Sequence, residues 1–288
     1  MQQLRHVLVG IDFDSSTGEL TEGSRAATSR ALWLAGRTDA RVEFLYSTHG
    51  HPGAGPPTSA AEAELEQLVK SLGGSGDVAL AVTSEEPVEA LSARVRSGTS
   101  DLVVVGKRNN SRSRDRLLGS VSLQLIRSCP SPVWVVKPEH QARHLSILAA
   151  TDLTPVGDRA TAYGAYFASV EECDLWIVHA WQLAMDLQLS ASRIGEAEFD
   201  RRCKAIGDEA RKHILAVPGV SALGERAHPV VARDTPERLI LTAIEERQPD
   251  LVVMGTISRA GISGILVGNT AERILHKLDC SLLTIKPK

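Results

Sequence analysis

The sequence of 288 residues has few aromatic side chains, no long apolar run and almost no net charge. Aromatic residues make up 4% of the chain, so the core must rely on Val, Leu, Ile and Ala. Apolar runs such as Val7–Gly10 are far shorter than the ~20 residues that span a bilayer. The N-terminus shows no basic segment followed by an apolar stretch, so we expect no signal peptide. We therefore expect a soluble, cytoplasmic protein without a membrane span.

The formal net charge is −3, from 32 Lys and Arg against 35 Asp and Glu, so a nucleic-acid partner is not expected. The chain also lacks the Gly-x-x-x-x-Gly-Lys-Ser/Thr, Gly-x-Ser-x-Gly and His-Glu-x-x-His patterns. No other nucleophile and base stand in a recognisable arrangement, so we predict no catalytic residues and no efficient enzyme. The cysteines form no CxxC pair, which favours reduced thiols over a zinc site or disulfide framework. They are Cys129, Cys173, Cys203 and Cys280.

An internal repeat organises the chain. The segment Asp101–Gly106 (DLVVVG) recurs as Asp250–Gly255 (DLVVMG), 149 positions later. A repeat that runs through most of a chain of this length indicates two homologous domains. The sequence therefore predicts domain 1 at residues 1–140 and domain 2 at residues 141–288.

Apolar runs alternate with helical patterns in each half, which predicts an α/β fold. Each half should form an open, mostly parallel, five-stranded sheet with helices on both faces. The last strands would leave apolar edges exposed, so we expect them to pair antiparallel and to join the halves as a pseudo-dimer. The expected strands of the first half are Val7–Ile11, Val42–Tyr46, Val78–Val82, Leu102–Val105 and Val133–Val136. Those of the second half are Ser146–Ala150, Leu175–His179, His228–Val231, Leu251–Met254 and Leu282–Ile285.

The loops after the fourth strands are the candidate ligand sites, because open α/β sheets bind ligands beyond the carboxyl ends of their strands. Each loop begins with a glycine at the strand end, Gly106 or Gly255, and ends with a glycine before a helix, Gly119 or Gly268. Glycine lets backbone amides approach phosphate oxygens closely, and a helix start offers free N–H groups. The side-chain donors that follow the second glycines are Ser120, Asn269 and Thr270.

With these motifs the chain resembles a tandem universal stress protein, a family with a Rossmann-like fold. Many of its members bind ATP through Gly, two residues, Gly, nine residues, Gly, then Ser or Thr. Asn109 and Ser258 replace the second glycine, and Thr270 comes one place late. The resemblance implies a stress-response role with ATP or a related adenine nucleotide as ligand, and Mg²⁺ only if ATP is bound. The implied nucleotide-binding residues are Asp12, Gly106, Asn109, Gly119, Ser120, Asp152, Gly255, Ser258, Gly268, Asn269 and Thr270.

Two other functions stay open. A nucleotide-independent protein would bind an apolar small ligand or a protein partner through the second loop, and a third function would bind a polyanion at the basic first loop, Lys107–Arg116. We expect the second half to keep the ligand, because its loop carries fewer charges and more apolar anchors and should be ordered. A homodimer of the whole chain is compatible with the sequence. The apolar residues of the second loop are Ile257, Ile262, Ile265, Leu266 and Val267.

Histidines at two places are candidates for other chemistry. His179 ends a predicted strand, and we interpret it as a packed or hydrogen-bonded side chain rather than a catalytic base. The His49-x-His51 pair lies in a stretch rich in Gly and Pro, which favours a solvated loop over a metal site.

Overall fold

The computed structural model of the protein describes residues 4–14, 16–49, 58–71, 78–98, 100–107, 119–138, 146–182, 195–256, 269–275 and 277–287. The first half contains β1 (His6–Ile11), α1 (Glu22–Thr38), β2 (Arg41–Ser47), α2 (Thr58–Ser71), β3 (Val78–Thr83), α3 (Pro87–Arg96), β4 (Leu102–Gly106), α4 (Ser120–Ser128) and β5 (Val133–Val136). The second half contains β6 (Ile147–Ala150), α5 (Pro155–Glu171), β7 (Leu175–Trp181), α6 (Glu196–Ala216), a 3₁₀ turn (Ser221–Arg226), β8 (Ala227–Arg233), α7 (Pro236–Arg247), β9 (Leu251–Gly255), α8 (Asn269–Leu275) and β10 (Ser281–Ile285). No helix within these ranges is long and apolar enough to cross a membrane.

The described strands form one continuous sheet in the order β3-β2-β1-β4-β5-β10-β9-β6-β7-β8. Neighbouring strands are parallel within each half, and β5 and β10 are antiparallel where the halves meet. All expected strands are present, and their ends differ from expectation by at most two residues. Each half therefore contributes the predicted five-stranded, open parallel arrangement, and the two arrangements join into one sheet.

Threonines begin the helices that follow β1, β6 and β8. Thr21, Thr154 and Thr235 act as N-caps, and each Oγ1 accepts a hydrogen bond from the backbone N–H three residues later, over 3.3 to 3.4 Å. Apolar and small residues at helical spacing then face the sheet. The residues on these faces are buried, namely Ala27, Ala31, Leu34 and Ala35 in α1 and Ala160, Gly164, Phe167 and Ala168 in α5.

The junction of the halves has a continuous apolar core. Trp134 of β5 lies opposite Leu283 of β10, and the Trp134 ring centroid is 4.9 Å from that of Phe167 on α5. The Thr284 hydroxyl donates to the Val133 carbonyl over 3.3 Å beside this pair. Since the edge strands of both halves are covered by each other, the two domains form the predicted pseudo-dimer.

Each half has one lysine that contacts a backbone carbonyl at or just after the last helix of the other half. Lys107 Nζ lies 3.4 Å from the Leu278 carbonyl, which follows α8. Lys286 Nζ donates to the Arg127 carbonyl, near the end of α4, over 2.7 Å. The halves are therefore joined by polar contacts at both ends of the central β5–β10 pair as well as by the pairing of these strands.

A buried ion pair crosses the same junction. Arg30 of α1 and Glu171 of α5 approach to 2.9 Å, and their side chains are 10% and 1% exposed. Burial raises the pKa of the Glu171 carboxyl from 4.5 to about 7, while Arg30 and Arg37 act to lower it and Asp250 acts to raise it. The folded state thus holds this proton more tightly than the unfolded state does. The stability gained from the group is complete below its unfolded pKa and is lost as the pH rises through about 7.

The Glu171→Gln substitution removes this titration. We expect the wild type to lose up to about 1.4 kcal/mol of unfolding free energy per pH unit relative to the variant between about pH 5 and 7, measured by urea denaturation. Glu66→Gln, at a side chain that is 70% exposed, is the control and should not change the pH dependence. A difference between wild type and Glu171→Gln that stays constant with pH would contradict the assignment.

Candidate functional site

Two cavities lie at the carboxyl ends of the parallel strands, one in each half. The first cavity, of about 260 Å³, opens between the ends of β1, β2 and β4. The second cavity, of about 510 Å³, opens between the ends of β6, β7 and β9. Because β5 and β10 are antiparallel, the two cavities lie at opposite edges of the sheet.

The cavities occupy equivalent positions in the repeat. Gly10 lies opposite Leu45 in the β1–β2 pair, as Ala150 lies opposite Val178 in the β6–β7 pair, and all four line their cavities. The first cavity is also lined by Asp12, Gly106, Gly119 and Ser120. The second is also lined by Asp152, Gly255 and Thr270. The structure thus brings these sequence-predicted site residues together around a cavity in each half.

The turn after β6 holds Asp152 at the mouth of the second cavity. Asp152 Oδ1 accepts hydrogen bonds from the Thr154 N–H over 3.1 Å and from the Thr154 hydroxyl over 2.6 Å. Leu153 between them has φ 59°, a left-handed conformation that leucine rarely adopts, and its N–H donates to Thr151 Oγ1 over 3.1 Å. Local strain of this kind is found where a turn must hold a functional group in place.

Gly157, in the first turn of helix α5, allows the β6–α5 connection at residues 151–154 to pack closely against that helix. A Cβ atom at Gly157 would lie 2.6 Å from both Asp152 Oδ1 and Thr151 Oγ1. At the other wall, a Cβ atom at Gly255 would lie 2.9 Å from Val156 Cγ1. These close approaches require glycine at Gly157 and favour it at Gly255.

His179 lines the second cavity, and its ring is held by packing and by a hydrogen bond to the backbone. Ile177, two residues earlier, packs in the core under α5, whereas Val178 packs in the core on the opposite face of the sheet. By strand alternation the His179 ring lies on the α5 face, where Nδ1 is 2.9 Å from the Thr151 carbonyl oxygen. A carbonyl oxygen only accepts, so Nδ1 carries the proton. The interpretation of His179 as a packed, hydrogen-bonded side chain is confirmed.

A hairpin connects β1 to α1 in the first half. Phe13 and Leu20 pair antiparallel, and the Phe13 ring centroid packs 4.8 Å from that of Tyr46. Glu64 of α2 accepts hydrogen bonds from the Leu20 N–H over 3.0 and 3.1 Å. The equivalent connection of the second half, between β6 and α5, is described in full and consists of only four residues, 151–154, so it forms no such hairpin. No local sequence pattern signals this difference, because it depends on contacts between distant segments.

Polar groups surround the first cavity. Ser24 Oγ accepts from the Asp12 N–H over 2.8 Å, and Lys107, 9% exposed, lines the cavity. Gly119 is the N-cap of α4 and has no side chain to satisfy the free N–H groups of that helix. The backbone is tightly packed here, since a Cβ atom at Gly106 would lie 2.1 Å from the Gly23 carbonyl oxygen.

Several predicted positions lie outside the described residues. These are Asn109, Ser258 and Gly268, the side chain of Asn269, most of the basic loop at 108–118, the apolar loop at 257–268, His51 and the domain boundary at 140/141. Within the described ranges, no group of three His, Cys, Asp or Glu side chains is arranged to hold a metal ion.

Comparison with known sequences gives consistent matches. The sequence model of the Universal stress protein family matches the chain twice, over residues 3–137 and 145–286. Universal stress protein E of Escherichia coli strain K12 is 30% identical over 224 residues, which cover 72% of this chain and 67% of that protein. A universal stress protein of Mycolicibacterium smegmatis is 28% identical over 195 residues, or 67% of this chain and 64% of that protein.

Solved structures agree with the fold. A universal stress protein from Archaeoglobus fulgidus superposes with a TM-score of 0.67 at 17% identity, with 99% of each chain covered. A functionally unknown protein from Pseudomonas aeruginosa PAO1 gives a TM-score of 0.71 at 22% identity, with 99% of this chain and 93% of that chain covered. These similarities support the same two-domain arrangement of α/β units.

Replacing Gly157 by alanine should displace the Asp152 carboxylate, because the new Cβ atom would overlap it. We expect a loss of about 1–3 kcal/mol in unfolding free energy, measured by thermal or urea denaturation. Gly36→Ala, in helix α1 with no atom within 4 Å of the new Cβ, is the matched control and should stabilise by about 0.5–1 kcal/mol. Equal effects of the two substitutions would refute the close packing at Asp152.

Proposed function

Because the chain belongs to the universal stress protein family, and so has a role in the stress response, we propose that it binds an adenine nucleotide in the second cavity. It acts as a regulatory module in the cytoplasm, without efficient catalysis, and its two functional domains are residues 1–140 and 141–288. This assignment combines the nucleotide implied by the loop motifs with the cavity that has room for it.

The size of the second cavity carries the proposal. Ligand pockets in proteins have volumes of roughly 300–1,000 Å³. The second cavity, at about 510 Å³, lies within that range, whereas the first, at about 260 Å³, lies below it. The half with the poorer loop motif therefore has the better cavity for a nucleotide.

The lining residues support distinct roles. Val178, Ile240 and Met254 form apolar walls that suit the faces of a purine ring. Asp152 is a hydrogen-bond acceptor for N–H or O–H groups of the base or ribose, and Thr270 near the start of α8 is a donor for phosphate oxygens. Mg²⁺ enters only together with the phosphates of ATP.

Nucleotide binding in this cavity would act on several elements together. The lining residues come from the turn after β6, from β7 and β9, and from the first turns of α7 and α8. A ligand shifts a conformational equilibrium only by its difference in affinity for the two states. Because a bound ligand would contact both the central strands and the helices at the surface, it could shift the positions of those helices and so change the affinity for a partner.

An apolar small ligand is the second candidate. Ala180 and Ala271 join the three apolar wall residues in the second cavity, at positions where the first cavity has Ser47 and Ser122. Such walls fit a hydrophobic ligand without phosphate contacts. Native mass spectrometry of the purified protein separates the candidates by the mass of what copurifies.

A tryptophan at Ala180 should fill the second cavity and abolish binding of ATP and AMP measured by isothermal titration calorimetry. Ser47→Trp, at the equivalent position of the first cavity, is the matched control and should keep the wild-type affinity. Thermal denaturation checks that both variants fold. Loss of binding in Ser47→Trp with wild-type affinity in Ala180→Trp would move the site to the first cavity.

A further inference from the structure

A tryptophan lines the second cavity. Trp181 is the last residue of β7 and is half-buried in the cavity wall. The corresponding residue of the first half is Thr48, because Trp181 and Thr48 each lie three residues beyond the matched pair Val178 and Leu45. The second half thus has an indole ring at a position where the first half has a small hydroxyl side chain.

The strand that carries Trp181 fixes its position. β6 ends at Ala150, which pairs with Val178, whereas the pairing of β7 with β8 continues as far as Trp181 opposite Arg233. The last three residues of β7 therefore extend past the end of β6, and all three line the cavity. A group on a paired strand is held more precisely than one on a loop. Backbone pairing thus positions Trp181 before a ligand enters.

Trp181 lies on the other face of the sheet from the apolar wall residues. Side chains alternate along a strand, so Trp181 shares a face with His179, on the side of α5. The wall residues Val178, Ile240 and Met254 pack together in the core on the side of α7. The cavity is therefore bordered by aliphatic and thioether side chains on one side and by an indole on the other.

These borders suit a flat aromatic ring. Apolar side chains pack against ring faces, and an aromatic side chain stacks on a second ring in an offset or edge-to-face arrangement. Stacking of a nucleic-acid base on an aromatic side chain strengthens binding because every base has a π-face. A purine has two fused rings and offers a larger face than the single ring of a pyrimidine, so it gains more from this contact.

Resting on the proposed function, we propose that Trp181 is the residue that sets base specificity in the second cavity. Its indole stacks on the base of the bound nucleotide and favours a purine over a pyrimidine. The ribose and the phosphates contribute equally to the affinity of both classes of nucleotide. Loss of the indole therefore weakens the binding of purine nucleotides more than that of pyrimidine nucleotides.

Isothermal titration calorimetry of the full chain with AMP, CMP and ribose 5-phosphate tests the contact, because these probes share the ribose and the phosphate and differ in the base. We expect the wild type to bind AMP most tightly, CMP more weakly and ribose 5-phosphate most weakly. Trp181→Leu should weaken AMP binding by roughly tenfold, through the loss of one stacking contact, and should leave AMP and CMP within about threefold of each other. Trp181→Phe keeps an aromatic ring and should retain most of the affinity and the preference for AMP.

Trp176→Leu is the matched control. Trp176 lies nearer the start of the same strand, where its ring stacks on that of His228 with 4.3 Å between the ring centroids, and it is not among the described residues that line the cavity. This variant should keep the wild-type affinity for AMP and the preference for AMP over CMP. Thermal denaturation checks that each variant folds.

Tryptophan fluorescence gives a second readout that a purely structural role of Trp181 would not change. AMP should quench the emission of the wild type and of Trp176→Phe, and it should leave the emission of Trp181→Phe unchanged. This comparison keeps the test valid if Trp181→Leu does not fold.

The outcomes separate the inference from the function on which it rests. AMP binding that is lost in Ala180→Trp but keeps its wild-type affinity and its preference over CMP in Trp181→Leu would overturn the inference and keep nucleotide binding at this cavity. Quenching by AMP that persists in Trp181→Phe would also overturn the inference alone. A wild-type chain that binds neither AMP nor ATP would overturn both.

Discussion

The antiparallel pairing of β5 with β10 is the constraint on which the rest of the molecule depends. Parallel order within each half directs the carboxyl ends of its strands to one edge, and the single antiparallel pair reverses that direction for the other half. The two cavities consequently lie on opposite edges and have none of their described lining residues in common. The same pairing lets Trp134 meet Phe167 and brings Arg30 to Glu171, so the halves share one core while their ligand sites remain separate.

The strands were predictable because buried parallel strands leave uninterrupted apolar runs, such as Leu102–Val105 and its repeat at Leu251–Met254. The caps were predictable where a threonine precedes a proline, as at Thr235. The hairpin at Phe13–Leu20 was not, since its stability depends on contacts with Tyr46 and Glu64 that no local pattern encodes. For the same reason, the relative volumes of the two cavities could not be read from the loop motifs.

The two halves show how one fold hosts two different sites. The backbone of each repeat places a glycine, an acid and a helix start around a cavity, and these features were visible in the sequence. The ligand chemistry depends on the wall residues that lie between the motifs, such as Ser122 in one half and Ala271 in the other. Since function depends on such sites and not on the fold, the motif that better matches the family need not mark the half that binds.

The central claim is that the second cavity, with its apolar walls and Asp152, is the ligand site of the chain. A crystal structure of the protein grown with adenosine tests it most directly. We expect electron density for the nucleoside between Val178 and Ile240, close to Asp152, with no nucleoside in the first cavity. Density beside Gly119 and Ser120, with none in the second cavity, would contradict the account.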